Sequence, residues 1–276
     1  MELLIILFFT ILGILIGSFL NVVILRYNTG QGIDGRSGCL SCGKTLNWYE
    51  LVPIVSYFLQ KGVCRGCKSV ISKQYAIVEA LTGILFALVA VRILIPMYDT
   101  YTIITILNVF VSLSAISLLV VIFVYDLQHS IIPDIFSYGF AVLALMRLCL
   151  YYQTYLFAYP GFVDLLAGPL LALPFAAVWY FSKGKWMGLG DAKLALGIGW
   201  YLGLAGGISS LCLAFWIGAA VSVAILLFQK HMRKRNRLSL KSEVPFAPFL
   251  IIGLLIVYFF PMDILHVSDF LSFIFG

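Results

Sequence analysis

From Leu194 to Gln229 the chain runs for 36 residues without a charged side chain. A water-soluble domain cannot tolerate that pattern, because its helices need a polar face. A bilayer demands it, with about 20 apolar residues per crossing helix. The run is long enough for two spans if the chain reverses near Gly206-Gly207. Further apolar stretches fall at 3–25, 76–95, 102–125, 135–152, 163–182 and 247–266, so that with 192–206 and 207–228 the sequence predicts eight spans. With 62% hydrophobic and 11% charged residues, the composition carries about half the charge of a typical globular domain. The first stretch lacks the basic flank of a secretory signal and is too long for its apolar core, so it reads as a retained helix. The expected fold is an all-α polytopic membrane protein of about eight transmembrane helices, with a small zinc-stapled module between the first two.

Charge supplies the expected orientation. Seven Lys and Arg lie in 26–75, three in 183–193 and six in 230–241, which places sixteen of eighteen on one side if the N-terminus is outside. That side is the cytoplasmic one by the positive-inside rule. Arg92 and Arg147 fall near the other face, where either can snorkel. The net charge of +6 follows from this bias and from attraction to anionic lipid, and it calls for no nucleic-acid partner. The run His231 to Arg237 reads as a juxtamembrane anchor.

Two acids stand at the rims of apolar runs on that same face. Asp126 ends the run 101–125, and Asp191 follows Gly188-Leu189-Gly190 at the start of the longest one. A carboxylate in such a place sits at the interface, faces the protein interior or lines a watered cavity. Two of them on separate spans are the raw material of a carboxylate dyad sharing a proton. Asp126 terminates a helix, where the dipole disfavours a negative charge. Asp134, behind Pro133, falls at a new helix N-terminus, so the helix dipole accounts for it as well as catalysis does. Gly188 and Gly190 allow non-helical backbone and close approach by another chain. Lys193 either neutralises Asp191 or serves no special partner. A lone interfacial His129 reads as a surface residue. Pro169 and Pro174 are expected to kink the fifth span.

Residues 26–75 form the one soluble-looking segment, too small to fold by apolar burial alone. Cys39-x-x-Cys42 and Cys64-x-x-Cys67 give it the four thiolates of a closed tetrahedral zinc site. Two disulfides are the alternative, less suited to a reducing cytoplasm. Cys149 and Cys212 lie within spans and read as packing residues. Beside the knuckles, Arg36, Trp48, Tyr49 and Glu50 either pack the module on the membrane or line a ligand groove.

In order along residues 13–250, the chain carries Gly17-Ser18-Phe19-Leu20-Asn21-Val22-Val23, the paired cysteines, Trp48-Tyr49-Glu50-Leu51-Val52-Pro53, Ile132-Pro133-Asp134, Gly188-Leu189-Gly190-Asp191-Ala192-Lys193 and Val244-Pro245-Phe246-Ala247-Pro248-Phe249. Together these resemble the bacterial type IV prepilin peptidases. The resemblance implies an intramembrane aspartyl protease of the Gly-x-Gly-Asp type with Asp126 and Asp191 as its catalytic pair, acting on prepilins and pseudopilins at the inner membrane. It also implies N-methylation by S-adenosylmethionine through the N-terminal cytoplasmic region. Leu40, where the family often has proline, and Ala247, where it often has glycine, are small departures.

The division expected is a first helix (1–25), a cytoplasmic four-cysteine module with the methyltransferase region (26–75) and a multi-span domain with the protease site (76–276). A basic leader would meet a basic enzyme face, which Asp34, Glu50, Glu243 or acidic lipid would have to offset. The rival reading is a proton-coupled or metal transporter whose four-cysteine loop senses metal. The lack of an internal repeat counts against it.

Overall fold

In the computed structural model, residues 2–30, 32, 35–39, 41–96, 102–152, 161–231 and 245–275 are described. Most of the basic run, with Asp34, Leu40, Glu243 and Val244, lies outside them. The described residues are helical or in short turns, with no strand. Six helices are long and apolar enough to cross a membrane, and Ala247–Phe259 is a shorter apolar helix. The chain divides into two compact units, residues 1–105 and 106–276.

In the first unit, α1 (Glu2–Arg26) packs along α3 (Gln74–Ile93). Small residues set the spacing. A Cβ on Gly13 would lie 2.7 Å from the Thr82 carbonyl oxygen, and one on Gly17 would lie 2.8 Å from the Cα of Glu79. Such backbone approach is how helices associate where lipid offers no hydrophobic contrast. Between them, the 3₁₀ turn Trp48–Glu50 and the short α2 (Val55–Leu59) accompany two turns closed by the isolated bridges Gly38 to Thr45 and Val63 to Val70.

The second unit takes in α4 (Ile103–His129) from Ile106 onward, then α5 (Asp134–Tyr152), α6 (Gly161–Ser182), α7 (Leu189–His231), α8 (Ala247–Phe259) and α9 (Val267–Phe275). α4 runs one turn past Asp126, and α5 begins at Asp134 as the Pro133 signal predicts. Pro169 and Pro174 lie inside the single helix α6.

α7 packs on α5, α6 and α8. It is two helical legs that meet at Gly203, whose φ of 74° and ψ of −177° are not helical. A Cβ on Gly207 would lie 3.5 Å from the Cα of Gly199, whereas eight residues of straight helix span about 12 Å. The chain therefore folds back on itself. The reversal expected near Gly206-Gly207 takes place at Gly203, because glycine alone adopts that backbone without steric cost. Counting the two legs, a helix falls within each of the eight expected stretches, although six helices among the described residues are long enough to cross a membrane and α8 is shorter.

Arg147 is held by aromatic rings of the second unit. Its guanidinium lies over the rings of Tyr201 and Tyr258, 4.5 and 5.2 Å from their centroids. A cation inside the helical bundle finds its counter-field in aromatic faces rather than in headgroups.

Candidate functional site

Asp126 lies in the last turn of α4 and Asp191 in the first turn of α7. Both are buried, at 4% and 8% exposure, and the charge of Asp126 reaches Asp191. The Ala247 backbone N–H, at the start of α8, is directed at the Asp126 carboxylate. Its Oδ2 is buried with no hydrogen-bond partner among the described residues. An orphaned carboxylate oxygen beside a second carboxylate is the place where a water or a shared proton can be held.

The polypeptide around the pair is drawn together from two motifs. A Cβ on Gly190 would lie 2.8 Å from the Cβ of Ile132, so the loop before α5 rests directly on the first turn of α7. Gly188 meets nothing closer than the Gly190 nitrogen at 3.9 Å. Lys193 Nζ bonds Asp134 Oδ1 at 2.6 Å and lies 4.9 Å from the centroid of the Tyr138 ring. Asp134 is thus the counterion of Lys193 at the head of α5. His129 is exposed and stacks on Tyr125, 4.3 Å between centroids, as a surface residue would.

In the first unit the Sγ atoms of Cys39, Cys42, Cys64 and Cys67 all lie within 4.8 Å of one another. Matched turns place them. Cys39 N–H donates to the Lys44 carbonyl and Cys64 N–H to that of Ser69, each at 2.9 Å, with Gly43 and Lys68 at φ of 71° and 62° after the second cysteine of each pair.

The four sulfurs suit a zinc ion. Zinc at about 2.3 Å from tetrahedral sulfurs sets them about 3.8 Å apart, and Cys39 and Cys67 stand at 3.8 Å. The Cys42 backbone N–H and then the Ser69 hydroxyl hold Cys39 down to about 6. Cys42 is pushed up to about 11: the Lys44 backbone N–H favours its thiolate, but Cys67 and Cys39 outweigh it. Thiols this close cannot all ionise unless a divalent cation joins them.

Of the residues beside the knuckles, Arg36, Trp48 and Tyr49 are exposed while Glu50 is buried. Its Oε2 accepts the Asn47 N–H at 2.9 Å and its Oε1 faces Lys44 Nζ at 3.5 Å. Asn47 first, then Lys44 and Arg65, hold the carboxyl below the usual glutamate range.

Sequence reasoning passed over two buried polar residues. Glu79 on α3 accepts the N–H of Ile54 at 2.6 Å, and Ile54 has a φ of 62°, unusual for a β-branched residue. Asn21 on α1 donates to the carbonyls of Gly17 and Tyr75, each at 3.2 Å. A single acid in the apolar stretch 76–95 was the available signal, of the same kind that singled out Asp126.

Paired buried carboxylates on two membrane helices, with a separate four-thiolate module, fit a membrane-embedded hydrolase better than a carrier with repeated halves. The comparisons with known proteins agree. Residues 11–93 match the bacterial peptidase A24 N-terminal domain, and residues 113–223 match the type IV leader peptidase family. The chain is 31% identical to a prepilin leader peptidase/N-methyltransferase of Bacillus subtilis, over 91% of its own length and 92% of the relative's. It is 34% identical to the protein of that name in Myxococcus xanthus, over 80% and 63%, and 29% identical to that of Vibrio cholerae, over 94% and 98%. No solved structure matches. The chain belongs to the type IV leader peptidase family, as a multi-pass membrane peptidase, and the transporter reading falls away.

Proposed function

We propose that this peptidase removes the basic leader of prepilins and pseudopilins at the cytoplasmic boundary of the inner membrane and then methylates the new N-terminus. The observation that carries the cleavage reading is the coupling of buried Asp126 to buried Asp191, within a family whose relatives are named for that activity. The lysine and arginine bias orients both carboxylates toward the cytoplasm. There the substrate's leader stays in water while its apolar segment lies in lipid.

One carboxylate takes a proton from water as that water attacks the scissile carbonyl. The other, protonated, donates to the carbonyl oxygen; as the resulting gem-diol collapses it returns that proton to the second carboxylate, and the first passes the proton it took from water to the departing amine. The pair, not either residue, owns the shared proton. Asp134, Lys193 and Gly190 support the site. Zinc on Cys39, Cys42, Cys64 and Cys67 supplies a structural staple for residues 26–75, whose own apolar content is too small to hold them.

In the second reaction the freed amine nitrogen attacks the methyl carbon of S-adenosylmethionine. The C–S bond breaks with its electron pair on sulfur, and the methylated ammonium loses a proton to water. Arg36, Trp48, Tyr49 and Glu50 form the methyl-donor region, with residues 76–276 devoted to cleavage.

The test is incubation of detergent-purified protein with a prepilin-type substrate, with and without S-adenosylmethionine. Mass spectrometry should show leader loss in both arms and a gain of about 14 Da, one methylene, only with the donor, as a single transfer to a positioned amine requires. Glu50→Gln should lower the gain and spare the cleavage. An intact substrate overturns the first reading, and equal loss of both activities in Glu50→Gln overturns the second.

A further inference from the structure

The reversal of α7 at Gly203 is buried, and the backbone groups it frees need partners within the protein. The leg 189–202 rises only about 21 Å at 1.5 Å per residue, short of the about 30 Å hydrocarbon thickness. A helix break leaves carbonyls unpaired on one side and N–H groups on the other, and in lipid each must find a partner within the protein. Two charged side chains from different helices meet this need. Arg147 of α5 donates from Nη1 to the Tyr201 carbonyl at 2.5 Å, at the carboxyl end of the first leg. Asp164 of α6 accepts the Leu204 N–H on Oδ1 at 2.8 Å, at the amino end of the second.

Each charge stands at the pole that suits it, the cation at the negative end of one helix dipole and the anion at the positive end of the other. Neither has an ion-pair partner among the described residues. Both are held by neighbours: Tyr152 donates its hydroxyl to Asp164 Oδ2 at 2.5 Å, and Tyr201 and Tyr258 stack on the guanidinium. Glycine is required between them, since a Cβ at Gly203 would lie 2.6 Å from Asp164 Oδ1. Trp200 adds a third tie, donating Nε1–H to the Leu165 carbonyl at 2.8 Å.

What this clamp fixes is the far end of the leg that carries Asp191. Along the leg, Gly197 and Gly199 lie so close to Phe140 and Ala167 that a Cβ on either would fall 2.5 Å from them. The leg therefore behaves as a rod pressed between α5 and α6, and its depth and rotation are set where it is capped. We infer that Arg147 and Asp164 are positioning residues for Asp191, holding its carboxylate in register with Asp126 from about 18 Å away along the helix. This rests on the proposed catalytic role of Asp191. A misplacement near 1 Å costs a reaction about 100-fold.

The experiment compares Asp164→Ala with Asp164→Asn and Arg147→Met with Arg147→Lys, the second of each pair keeping an acceptor or a donor. Cleavage of a prepilin-type peptide is measured per folded, monodisperse enzyme. In the same backgrounds, Tyr138→Cys with Lys193→Cys, whose native side chains meet between α5 and α7, reports the position of the leg by its cross-linking rate with a short bismaleimide, which needs no activity. Expected are a fall in kcat of about tenfold or more with KM changed less than about twofold in Asp164→Ala and Arg147→Met. Slower cross-linking should accompany it, with substantial recovery of both in Asp164→Asn and Arg147→Lys. Wild-type kcat and cross-linking in the folded Ala and Met variants would overturn the inference. Should Asp164→Ala not fold, the Arg147 pair decides alone. Altered cross-linking together with full cleavage by Asp191→Asn would instead overturn the catalytic reading of Asp191 and leave the clamp standing.

Discussion

Lys193 reaches Asp134 across the gap between α7 and α5 at 2.6 Å, although Asp191 stands only two residues before it in its own helix. Residues two apart on a helix do not face each other, so the geometry of α7 itself turns the ammonium away from Asp191. The pair is a brace between the two polar motifs, with the Asp134 side chain 66% exposed. Exposed pairs contribute about 0–1 kcal/mol. Asp134→Asn should accordingly lower leader cleavage by less than about tenfold and leave thermal stability within about 1 kcal/mol, as measured by initial rates and thermal melts. An inactive, folded Asp134→Asn would mean that the wrong acids have been paired.

For Asp126 and Asp191 the expectation is different. An asparagine fills the same space but cannot exchange a proton with water or carbonyl, and acid–base groups contribute about 10²- to 10⁴-fold. Asp126→Asn and Asp191→Asn should each reduce turnover of a prepilin by at least about 100-fold while remaining monodisperse in detergent. Appreciable turnover by either one rules out the dyad.

The spans, the two carboxylates and the four cysteines were legible because each is a one-dimensional signal: a run of apolar residues, an acid where none is cheap, a fixed spacing of thiols. The partners were not. Nothing near Arg147 in sequence indicates the Tyr201 carbonyl, and Asp164 reads as a first-turn acid of α6 until Leu204 is brought to it. The stretch 202–207 offers glycines at 203, 206 and 207, and the break falls at 203, where φ is positive and Asp164 approaches too closely for a Cβ. Glu79 and Asn21 were legible in principle.

The thiolate cluster makes a separate prediction. Purified protein should carry about one zinc per chain, as a closed four-ligand site does. Replacing Cys39, Cys42, Cys64 or Cys67 by Ser should remove most of the metal and render residues 26–75 sensitive to protease, since binding and folding of such modules are linked. Elemental analysis without zinc, together with two disulfides by mass, would reverse the assignment.

At the other end of the chain, Asp263 caps α9, accepting the N–H groups of Val267 and Ser268 at 3.0 and 2.7 Å and the Ser268 hydroxyl at 2.5 Å. Burial would raise its pKa, but these bonds outweigh it and the carboxyl lies below the usual aspartate range. A depressed folded pKa means stabilisation that is present above the unfolded value of about 3.9 and is lost as pH falls through the folded one. Amide hydrogen exchange across residues 263–275 should therefore quicken, relative to its intrinsic rate, as pH drops below about 4. In Asp263→Asn that pH dependence should flatten. Identical profiles for the two proteins would show that Asp263 does not hold the helix.

The two glycines of Gly188-Leu189-Gly190-Asp191 should respond in opposite ways to the same substitution. Around Gly188 a methyl group would find open space, with only the Gly190 nitrogen near, at 3.9 Å, and its φ is not among the positive ones. Gly188→Ala should keep leader cleavage within about twofold, because a surface change away from packing costs about 0.5 kcal/mol or less. At Gly190 the methyl would stand 2.8 Å from the Ile132 Cβ, well inside van der Waals contact. To relieve it, the first turn of α7 must shift away from the loop before α5 and carry the Asp191 carboxylate with it. Gly190→Ala should then lower kcat by about tenfold or more. Ile132→Ala removes only side-chain atoms beyond Cβ, so it should restore part of that loss by letting the loop yield. If Gly190→Ala cleaves as fast as the wild type while Gly188→Ala fails, the glycines serve the backbone before the helix and not the contact with Ile132.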